Sequence, residues 1–215
     1  NVLITGASGF TGLKFVDFLL NKNCEVFNIG RNKVDGVTNF IYDDNFSYEN
    51  ISDIINEVNP NFLFHIAGCA YSNNILDYYK INCLYASYIL DAIENNRLDD
   101  STRIMFIGTA AEYGYISKEV LPINESHLCN PISHYGISKF SQTKMAISWS
   151  TAKKYRKVCV VRPFNLLGKG MPSHLAIGSF ANQIKNLNNK GQLKVGNLNV
   201  KRDFISIDDA VNIYW

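Results

Sequence analysis

Apolar runs of strand length alternate with amphipathic stretches along the whole chain. Six such runs predict strands: "NVLIT" (1–5), "EVFNIG" (25–30), "NFIY" (39–42), "FLFHIAG" (62–68), "RIMFIG" (103–108) and "VCVVRP" (158–163). Helical periodicity predicts helices over about 12–21, 48–58, 75–96 and 134–154, the second of them stopped by Pro60. Nearly continuous apolar strands separated by helices are typical of right-handed βαβ units. The pattern therefore predicts an α/β fold with a doubly wound parallel sheet of the Rossmann type.

Small, polar and charged residues follow the predicted strands. The strand ends read "TGASGFTG", "GRN", "YDD", "AGCA", "GTAAEYG" and "RPFNLLG". Ligands of open parallel sheets bind beyond the carboxyl ends of the strands. We therefore expect one ligand-binding edge, and a dinucleotide-binding domain over residues 1–164.

Composition excludes several classes of function. Hydrophobic residues make up 47% of the 215 residues and charged residues 19%, as in ordinary globular proteins. A net charge of +2 without any basic run gives no reason to expect nucleic acid, and no apolar stretch reaches the ~18 residues that a membrane span needs. The five cysteines are scattered and lack C-x-x-C spacing, which argues against a disulfide framework and against a metal site. We expect reduced thiols and a cytoplasmic location.

The chain lacks an initiating Met and ends inside a helical pattern, so we expect part of a longer protein.

The first strand leads directly into a glycine motif. Gly6, Gly9 and Gly12 have G-x-x-G-x-x-G spacing, and the motif opens the first predicted helix. Glycine there permits a tight turn, close approach of the backbone to a pyrophosphate, and close packing of helix on strand. A glycine motif in this strand–helix context predicts a dinucleotide site.

The end of the second strand bears on which dinucleotide is bound. An Asp or Glu there would bind the ribose 2′-hydroxyl of NAD, but the sequence has Gly30, Arg31 and Asn32. A guanidinium can form charge-assisted hydrogen bonds to a 2′-phosphate. We therefore predict NADP, with NAD possible. After the third strand, Asp43 or Asp44 could meet the adenine edge or could be turn residues.

Three side chains could carry acid–base chemistry. Tyr135 and Lys139 in "HYGISK" lie four residues apart on one helical face, and Thr109 follows the fifth strand. Tyrosine with a pKa near 10 is a poor acid–base catalyst at neutral pH. A nearby ammonium and a positive nicotinamide ring would stabilise the tyrosinate and lower that pKa. Thr109 could then hold a substrate oxygen beside Tyr135.

These motifs together resemble the extended short-chain dehydrogenase/reductase family of sugar-nucleotide epimerases, dehydratases and reductases. "TGASGFTG", "FHIAG", "TAAEYG", "YGISK", "RPFNLLGKG" and "KRDFISIDD" carry the resemblance, in family order. It implies a catalytic triad of Thr109, Tyr135 and Lys139, with Asn82 as a structural and water-positioning residue. The implied cofactor-binding residues are Gly6, Ser8, Gly9, Phe10, Gly12, Arg31, Asp43, Ala67, Gly68, Asn82, Tyr135, Lys139 and Pro163. The implied contacts to a nucleotide-sugar substrate are Thr109, Ala110, Asn165 and Arg202.

The resemblance also implies domain organisation and assembly. Residues 165–200 would begin a small, truncated substrate-binding portion, and residues 201–215 would return to the nucleotide domain. Members commonly form homodimers through a four-helix bundle, here the helices at 75–96 and 134–154. Tyr78, Tyr85, Tyr88 and Trp149 could serve that interface or could be core residues.

Within the family, several stretches are similar to GDP-4-keto-6-deoxy-mannose reductases: "EVFNIGRN", "IGTAAEYG" and "KVGNLNVKRDF". Two departures from the family's usual pattern are His134 in place of Pro and "GKGM" in place of "GPGQ". Both fall beside the implied substrate site.

The residues after Thr109 bear on the reaction class. The 4,6-dehydratases have an acid and a base there, whereas this chain has Ala110 and Ala111, which cannot transfer protons. Glu112 comes one place later, and the direction of its side chain is open at this stage. A 4-epimerase needs no extra acid or base but must retain NAD, which Arg31 weakly disfavours. We therefore predict NADPH-dependent reduction of a 4-keto sugar nucleotide. A non-catalytic cofactor-sensing module is a remote alternative, because such modules typically lack the Tyr or the Lys.

Overall fold

The computed structural model describes residues 1–42, 46–96, 98–153, 157–187 and 191–215. The chain divides into two compact units, Asn1–Pro163 and Phe164–Trp215.

A six-stranded parallel sheet forms the centre of the first unit. Its strands are β1 (Val2–Thr5), β2 (Val26–Gly30), β3 (Thr38–Ile41), β4 (Phe62–His65), β5 (Arg103–Ile107) and β6 (Lys157–Val161), in the order β3-β2-β1-β4-β5-β6. The order reverses at β1, since β2 and β4 flank it in matching register: Ile4 lies opposite Asn28 on one side and Phe64 on the other. This is the doubly wound order of dinucleotide-binding sheets, so the predicted fold class is confirmed.

Helices cover both faces of this sheet. They are α1 (Phe10–Asn21), α2 (Tyr48–Val58), α3 (Ile75–Tyr79), α4 (Tyr85–Asn95) and α5 (His134–Lys153). Leu3, Ile29 and Leu63 point to one face, where their side chains join α2 and α4 in the main core. Phe64, the next residue along β4, points to the other face and meets Phe15 of α1 edge-on, with ring centroids 4.7 Å apart. This alternation is the reason that the strands are apolar on both sides.

The segment between α3 and α4 departs from the predicted single helix over 75–96. Residues Lys80–Leu84 form a π-helical turn, and Asn82 lies fully buried within it. A π turn inserts an extra residue into the helix and is frequent at functional sites. Hydrophobic periodicity does not distinguish such a turn from continuous α-helix.

The four aromatic residues that were candidates for an interface or for the core differ in burial. Tyr85 is a core residue, and Tyr88 and Trp149 pack against the same core. Tyr78 is half-buried, and its hydroxyl accepts a hydrogen bond from the backbone N–H of Ser72 at 3.0 Å. The apolar side chains that these helices do expose include Leu76 and Leu84.

The second unit contains a two-stranded parallel sheet and two helices. Strands β7 (Asn165–Leu167) and β8 (Phe204–Ser206) pair, with α6 (Ala176–Asn186) between them and α7 (Ile207–Tyr214) after them. The predicted roles of segments 165–200 and 201–215 stay predictions. Of the helices in the described ranges, none combines the length and hydrophobicity needed to cross a membrane.

Candidate active site

The glycine turn after β1 has the shape of a dinucleotide cradle. Gly6 has φ +76°, and a Cβ on it would lie 2.6 Å from the backbone nitrogen of Ala67. A Cβ on Gly12 would collide with the carbonyl oxygen of Gly6. Helix α1 begins at Phe10, and among the described residues no side chain caps it. Its first N–H groups are therefore available to an anion such as a pyrophosphate, and Ser8, Gly9 and Phe10 lie at that end.

The end of β2 is held by an asparagine pair that presents Arg31. Buried Asn28 donates to the Oδ1 of Asn39 at 2.9 Å and to the carbonyl of Asn32 at 3.1 Å. Asn39 in turn ties the backbone of residues 34–37. Arg31 is exposed directly after Gly30. Burial raises the pKa of the Cys69 thiol and the charge of Asp77 raises it further, while a hydrogen bond with the Tyr71 backbone and the charge of Arg31 partly oppose the rise.

Backbone geometry beyond β4 brings Gly68 close to two predicted site residues. A Cβ on Gly68 would lie 3.2 Å from Nζ of Lys139 and 3.3 Å from Oδ1 of Asn82. Asn82 accepts from the backbone N–H of Cys69 at 2.8 Å, and it donates to the Cys69 carbonyl at 3.0 Å and to the Ser138 hydroxyl at 2.8 Å. Asn82 thus links the β4 end to α5 by its side chain, which fits the structural role that the resemblance implies.

Residues after β5 form a short 3₁₀ turn over Ala110–Glu112, capped by Thr109. The Thr109 hydroxyl accepts from the N–H of Ala111 at 3.2 Å. Ala110 is tied to the end of β6, since its N–H donates to the carbonyl of Pro163 at 3.0 Å. The first turn of α5 packs closely on this turn, because a Cβ on Gly136 would lie 2.7 Å from the carbonyl oxygen of Ala111. This contact brings Tyr135 to Thr109.

Tyr135 is half-buried, and its pKa is raised above 10. Burial is the main cause, a hydrogen bond with the Thr109 side chain lowers the pKa part of the way, and the charge of Glu112 raises it. We expected Lys139 to lower this pKa, but Lys139 is not among these influences. Desolvation of the phenol is therefore the largest influence on the pKa of Tyr135 in the chain without a bound cofactor.

The Lys139 ammonium is buried and held by another side chain of α5. Its Nζ donates to Oε1 of Gln142 at 3.0 Å, and Nε2 of Gln142 donates to the carbonyl of Ile107 at 3.0 Å. Burial lowers the pKa of Lys139 from 10.5 to about 8, and the charge of Glu112 partly opposes that fall. The sequence interpretation missed Gln142, although its i, i+3 spacing from Lys139 could have indicated it.

Glu112 turns into the protein interior. Its carboxylate is fully buried and forms a salt bridge with Arg162, with 2.8 Å between Oε2 and Nε. The other oxygen accepts from the Thr109 N–H at 2.9 Å and from the Thr143 hydroxyl at 3.1 Å. The sequence left its direction open, yet T-x-x-E from Thr109 to Glu112 is a capping-box pattern that could have predicted this geometry.

Two of the predicted site residues belong to the second unit, and a third lies outside the described residues. Asn165 starts β7 in the second unit, where its Nδ2 donates to the carbonyl of Asp203 at 2.8 Å. Arg202 is exposed and donates to the carbonyl of Lys201 at 2.9 Å. Asp43 lies outside the described residues. The substrate roles of Asn165 and Arg202 therefore stay predictions.

Comparison with known proteins places this geometry in a family. The profile of the NAD dependent epimerase/dehydratase family matches residues 2–215. A GDP-6-deoxy-D-talose 4-dehydrogenase from Aggregatibacter actinomycetemcomitans is 26% identical over 100% of this chain and 68% of its own length. A GDP-6-deoxy-D-mannose reductase from Pseudomonas aeruginosa is 28% identical over 72% of this chain and 52% of its own length. This chain thus spans 68% of the length of the first relative and 52% of the length of the second.

Two solved structures illustrate the same fold. RMD from Pseudomonas aeruginosa, complexed with NADPH, has a TM-score of 0.80 at 24% identity, covering 99% of this chain and 72% of that one. UDP-glucose 4-epimerase from Thermotoga maritima has a TM-score of 0.85 at 23% identity, covering 99% and 71%. At these identities the likeness shows the fold. The family profile, which matches nearly the whole chain, establishes that this chain belongs to the NAD-dependent epimerase/dehydratase family, whose members are NAD(P)-dependent enzymes.

Proposed function

We propose that the chain belongs to an NADPH-dependent reductase that reduces the 4-keto group of a nucleotide-linked 4-keto-6-deoxy sugar. The observation that carries this proposal is the bonding of Glu112. Its carboxylate is buried and accepts hydrogen bonds from three protein donors. Elimination of water from a sugar would need an acid and a base beside Thr109. Ala110 and Ala111 cannot provide this acid and base, and the side chain of Glu112 points into the protein interior. Hydride transfer to an existing carbonyl needs neither.

The relatives support the coarser part of this proposal, modification of a sugar nucleotide with a nicotinamide cofactor. Two of them are named for GDP-linked 6-deoxy sugars. Other relatives are named as UDP-sugar 4-epimerases. We therefore infer a nucleotide-linked sugar as the substrate class, with a 6-deoxy sugar favoured.

Three side chains divide the acid–base work in the proposed reaction. Tyr135 donates its phenolic proton to the carbonyl oxygen of the substrate. Thr109 accepts from Ala111 through one lone pair, so its hydroxyl keeps one proton to donate to the substrate oxygen and a second lone pair to accept from the phenol. Lys139, aimed by Gln142, stabilises the phenolate that forms. Most of the acceleration would come from this positioning and from the electrostatics around the carbonyl.

Several residues at the carboxyl edge of the sheet form a surface whose shape fits a dinucleotide. The turn of Gly6, Ser8, Gly9, Phe10 and Gly12 would hold the pyrophosphate at the start of α1. Arg31 would meet a 2′-phosphate, and Ala67, Gly68 and Pro163 offer backbone with little side-chain bulk. When bound, the reduced nicotinamide supplies the hydride.

A 4-epimerase that retains NAD is the main competing function. It would use the same Thr109, Tyr135 and Lys139 without any further acid or base, and Ala110 and Ala111 do not disfavour it. Arg31 at the end of β2, where an acid would favour NAD, argues against it. A cofactor-sensing module without turnover is disfavoured, because both Tyr135 and Lys139 are present.

One assay separates these functions. The full-length protein is mixed with NADPH and with 4-keto-6-deoxy sugars linked to GDP, CDP, dTDP or UDP, and the absorbance of the reduced ring is followed. We expect oxidation of NADPH with at least one of these sugars. Turnover of a UDP- or GDP-hexose with bound NAD, without oxidation of NADPH by any 4-keto sugar, would refute the reductase proposal in favour of the epimerase.

We also propose that the protein is a homodimer through α3, α4 and α5. An apolar groove of about 370 Å³ lies on these helices, lined by Leu76, Tyr79, Lys80, Cys83, Leu84, Ser87 and Met145. Leu84→Glu should convert a dimer into a monomer in light scattering. Leu13→Glu is the matched control, since Leu13 is similarly exposed on α1. A monomeric wild-type protein would rule out this assembly.

A further inference from the structure

The backbone N–H of Thr109 cannot be satisfied by the sheet. On one side, the N–H groups of its neighbours pair with the end of β6: Gly108 donates to the carbonyl of Val161 at 2.7 Å and Ala110 to that of Pro163 at 3.0 Å. Successive N–H groups of a strand point to opposite sides. The N–H of Thr109 therefore points toward β4, whose pairing with β5 has already ended at His65 and Phe106. A buried N–H without an acceptor is costly.

The carboxylate of Glu112 supplies that acceptor. Its Oε1 lies 2.9 Å from the Thr109 nitrogen, and the side chain is fully buried. Glycine at position 108 makes this possible, because a Cβ there would overlap Oε1 of Glu112. Gly108 thus leaves room for a protein carboxylate, and the small residues of "GTAA" are explained in part by this internal contact.

Glu112 is itself held from two further segments. Thr143 of α5 donates to Oε1 at 3.1 Å, and Arg162 after β6 donates to Oε2 at 2.8 Å. Arg162 is fixed in turn by Tyr113, since its Nη1 lies 3.3 Å from the phenolic oxygen and its guanidinium lies 5.2 Å from the ring centroid. The carboxylate therefore joins the end of β5, the end of β6 and the helix that carries Tyr135.

We propose that Glu112 is a positioning residue for the reaction, which acts by fixing the backbone of Thr109 so that the Thr109 hydroxyl meets Tyr135 and the substrate oxygen. This inference rests on the proposed catalytic role of Thr109. A charged acceptor clamped by a guanidinium holds an N–H more firmly than a neutral acceptor does. Glu112 touches neither the cofactor edge nor the substrate in this role.

The charge of Glu112 also reaches both acid–base residues. It raises the pKa of Lys139, against the lowering by burial, and it adds to the raised pKa of Tyr135. Removal of the charge should therefore move both titrations to lower pH. A purely structural role, such as filling space, would not shift the pH profile of turnover.

A double-mutant cycle tests whether Glu112 acts through Thr109. The paired variant Glu112→Leu/Arg162→Met removes the acceptor and leaves no unpaired buried guanidinium. We expect it to lower kcat about tenfold to 100-fold, with the Kd of NADPH changed less than about twofold. In a Thr109→Ala background the same pair should cost less than about twofold in kcat. An equal loss in both backgrounds would overturn the proposal.

Amide hydrogen exchange gives a readout that does not depend on activity. In the paired variant, the Thr109 amide should exchange at least about tenfold faster, while the Gly108 and Ala110 amides, bonded to β6, should not. Equal acceleration of the three amides, or none, would overturn the proposal. Glu112→Gln keeps one acceptor oxygen and should show a smaller change in the same direction, which provides the measurement if the paired variant does not fold. Glu57→Gln, on the exposed side of α2, should change neither exchange nor kcat.

A wild-type protein that turns over no 4-keto sugar would refute the proposed reductase function, not the role of Glu112. In that case the cycle is run with whichever sugar nucleotide the protein converts, and the exchange measurement stands by itself.

Discussion

Lys139 should destabilise the folded protein at neutral pH, although the proposed reaction requires it. Its ammonium is buried, and its pKa falls from 10.5 to about 8. A difference of about 2.5 units corresponds to about 3 kcal/mol between the two protonation states. Lys139→Met removes this cost but leaves Oε1 of Gln142 without its donor, which costs about 1 kcal/mol. We therefore expect Lys139→Met to unfold with a free energy about 2 kcal/mol higher than that of wild type at pH 7.

The pH dependence gives the prediction its sign. Because the folded pKa lies below the unfolded one, the unfolded state binds more protons between about pH 8 and 10.5. The stability of the wild type should therefore rise through that window relative to the variant. By this linkage, the penalty falls from about 3 kcal/mol at pH 7 to about 1.5 kcal/mol at pH 9.5.

Urea unfolding followed by tryptophan fluorescence at these two pH values measures the effect. Lys144→Met is the matched control, since Lys144 is exposed on the same helix. It should leave the pH dependence of stability unchanged. A Lys139→Met protein that is less stable than wild type at pH 7, or a difference that stays constant from pH 7 to 9.5, would refute the reasoning. NADPH oxidation by Lys139→Met should be lost in either case.

Three further substitutions test the cofactor edge and the acid. Tyr135→Phe should lower kcat by about 100-fold or more, because it removes the proton donor, and the Kd of NADPH should stay within about twofold of wild type. Retained turnover would contradict the role of Tyr135. Arg31→Glu should weaken NADPH binding at least about tenfold in a fluorescence titration and leave NADH binding nearly unchanged; an equal loss for both would mean that Arg31 does not contact the 2′-phosphate. Gly6→Ala should abolish binding of either dinucleotide and lower the unfolding free energy by about 2 kcal/mol or more. The reasons are that φ of Gly6 is +76° and that the new Cβ would lie 2.6 Å from the backbone nitrogen of Ala67. Normal affinity for that variant would show that the turn is not the cradle.

The hydrophobic pattern was sufficient to predict the sheet and the helices that cover it. Strands predicted at 62–68 and 158–163 end earlier, at His65 and Val161. Beyond these points Ile66, Ala67, Arg162 and Pro163 are only partly buried and Gly68 is exposed, so the predicted runs include residues past the end of ladder pairing. Periodicity reports burial and not hydrogen bonding, so strand ends are less well predicted than strand cores.

The catalytic candidates were visible as motifs, but the side chains that hold them were not. Thr109, Tyr135 and Lys139 belong to local patterns, whereas two of the three partners of Glu112 come from positions 31 and 50 residues away in sequence. Such contacts depend on which strands are neighbours in the sheet. The turn direction after Thr109 was the undecided point, and its capping box was the local signal that could have decided it.

The buried polar residues around Thr109 connect the stability of the fold to the class of reaction that the site can catalyse. Lys139, Gln142, Thr143 and Glu112 are all nearly inaccessible to solvent, and each is paired within the described residues. A carboxylate committed to a guanidinium, a hydroxyl and a backbone N–H could become a catalytic base only if those three donors lost their acceptor. Each lost acceptor in a buried site costs about 1–3 kcal/mol. Recruiting Glu112 for dehydration would therefore disrupt the turn that holds Thr109, the residue such a reaction would also need. The same contacts that position Thr109 thus argue against elimination and favour simple hydride transfer.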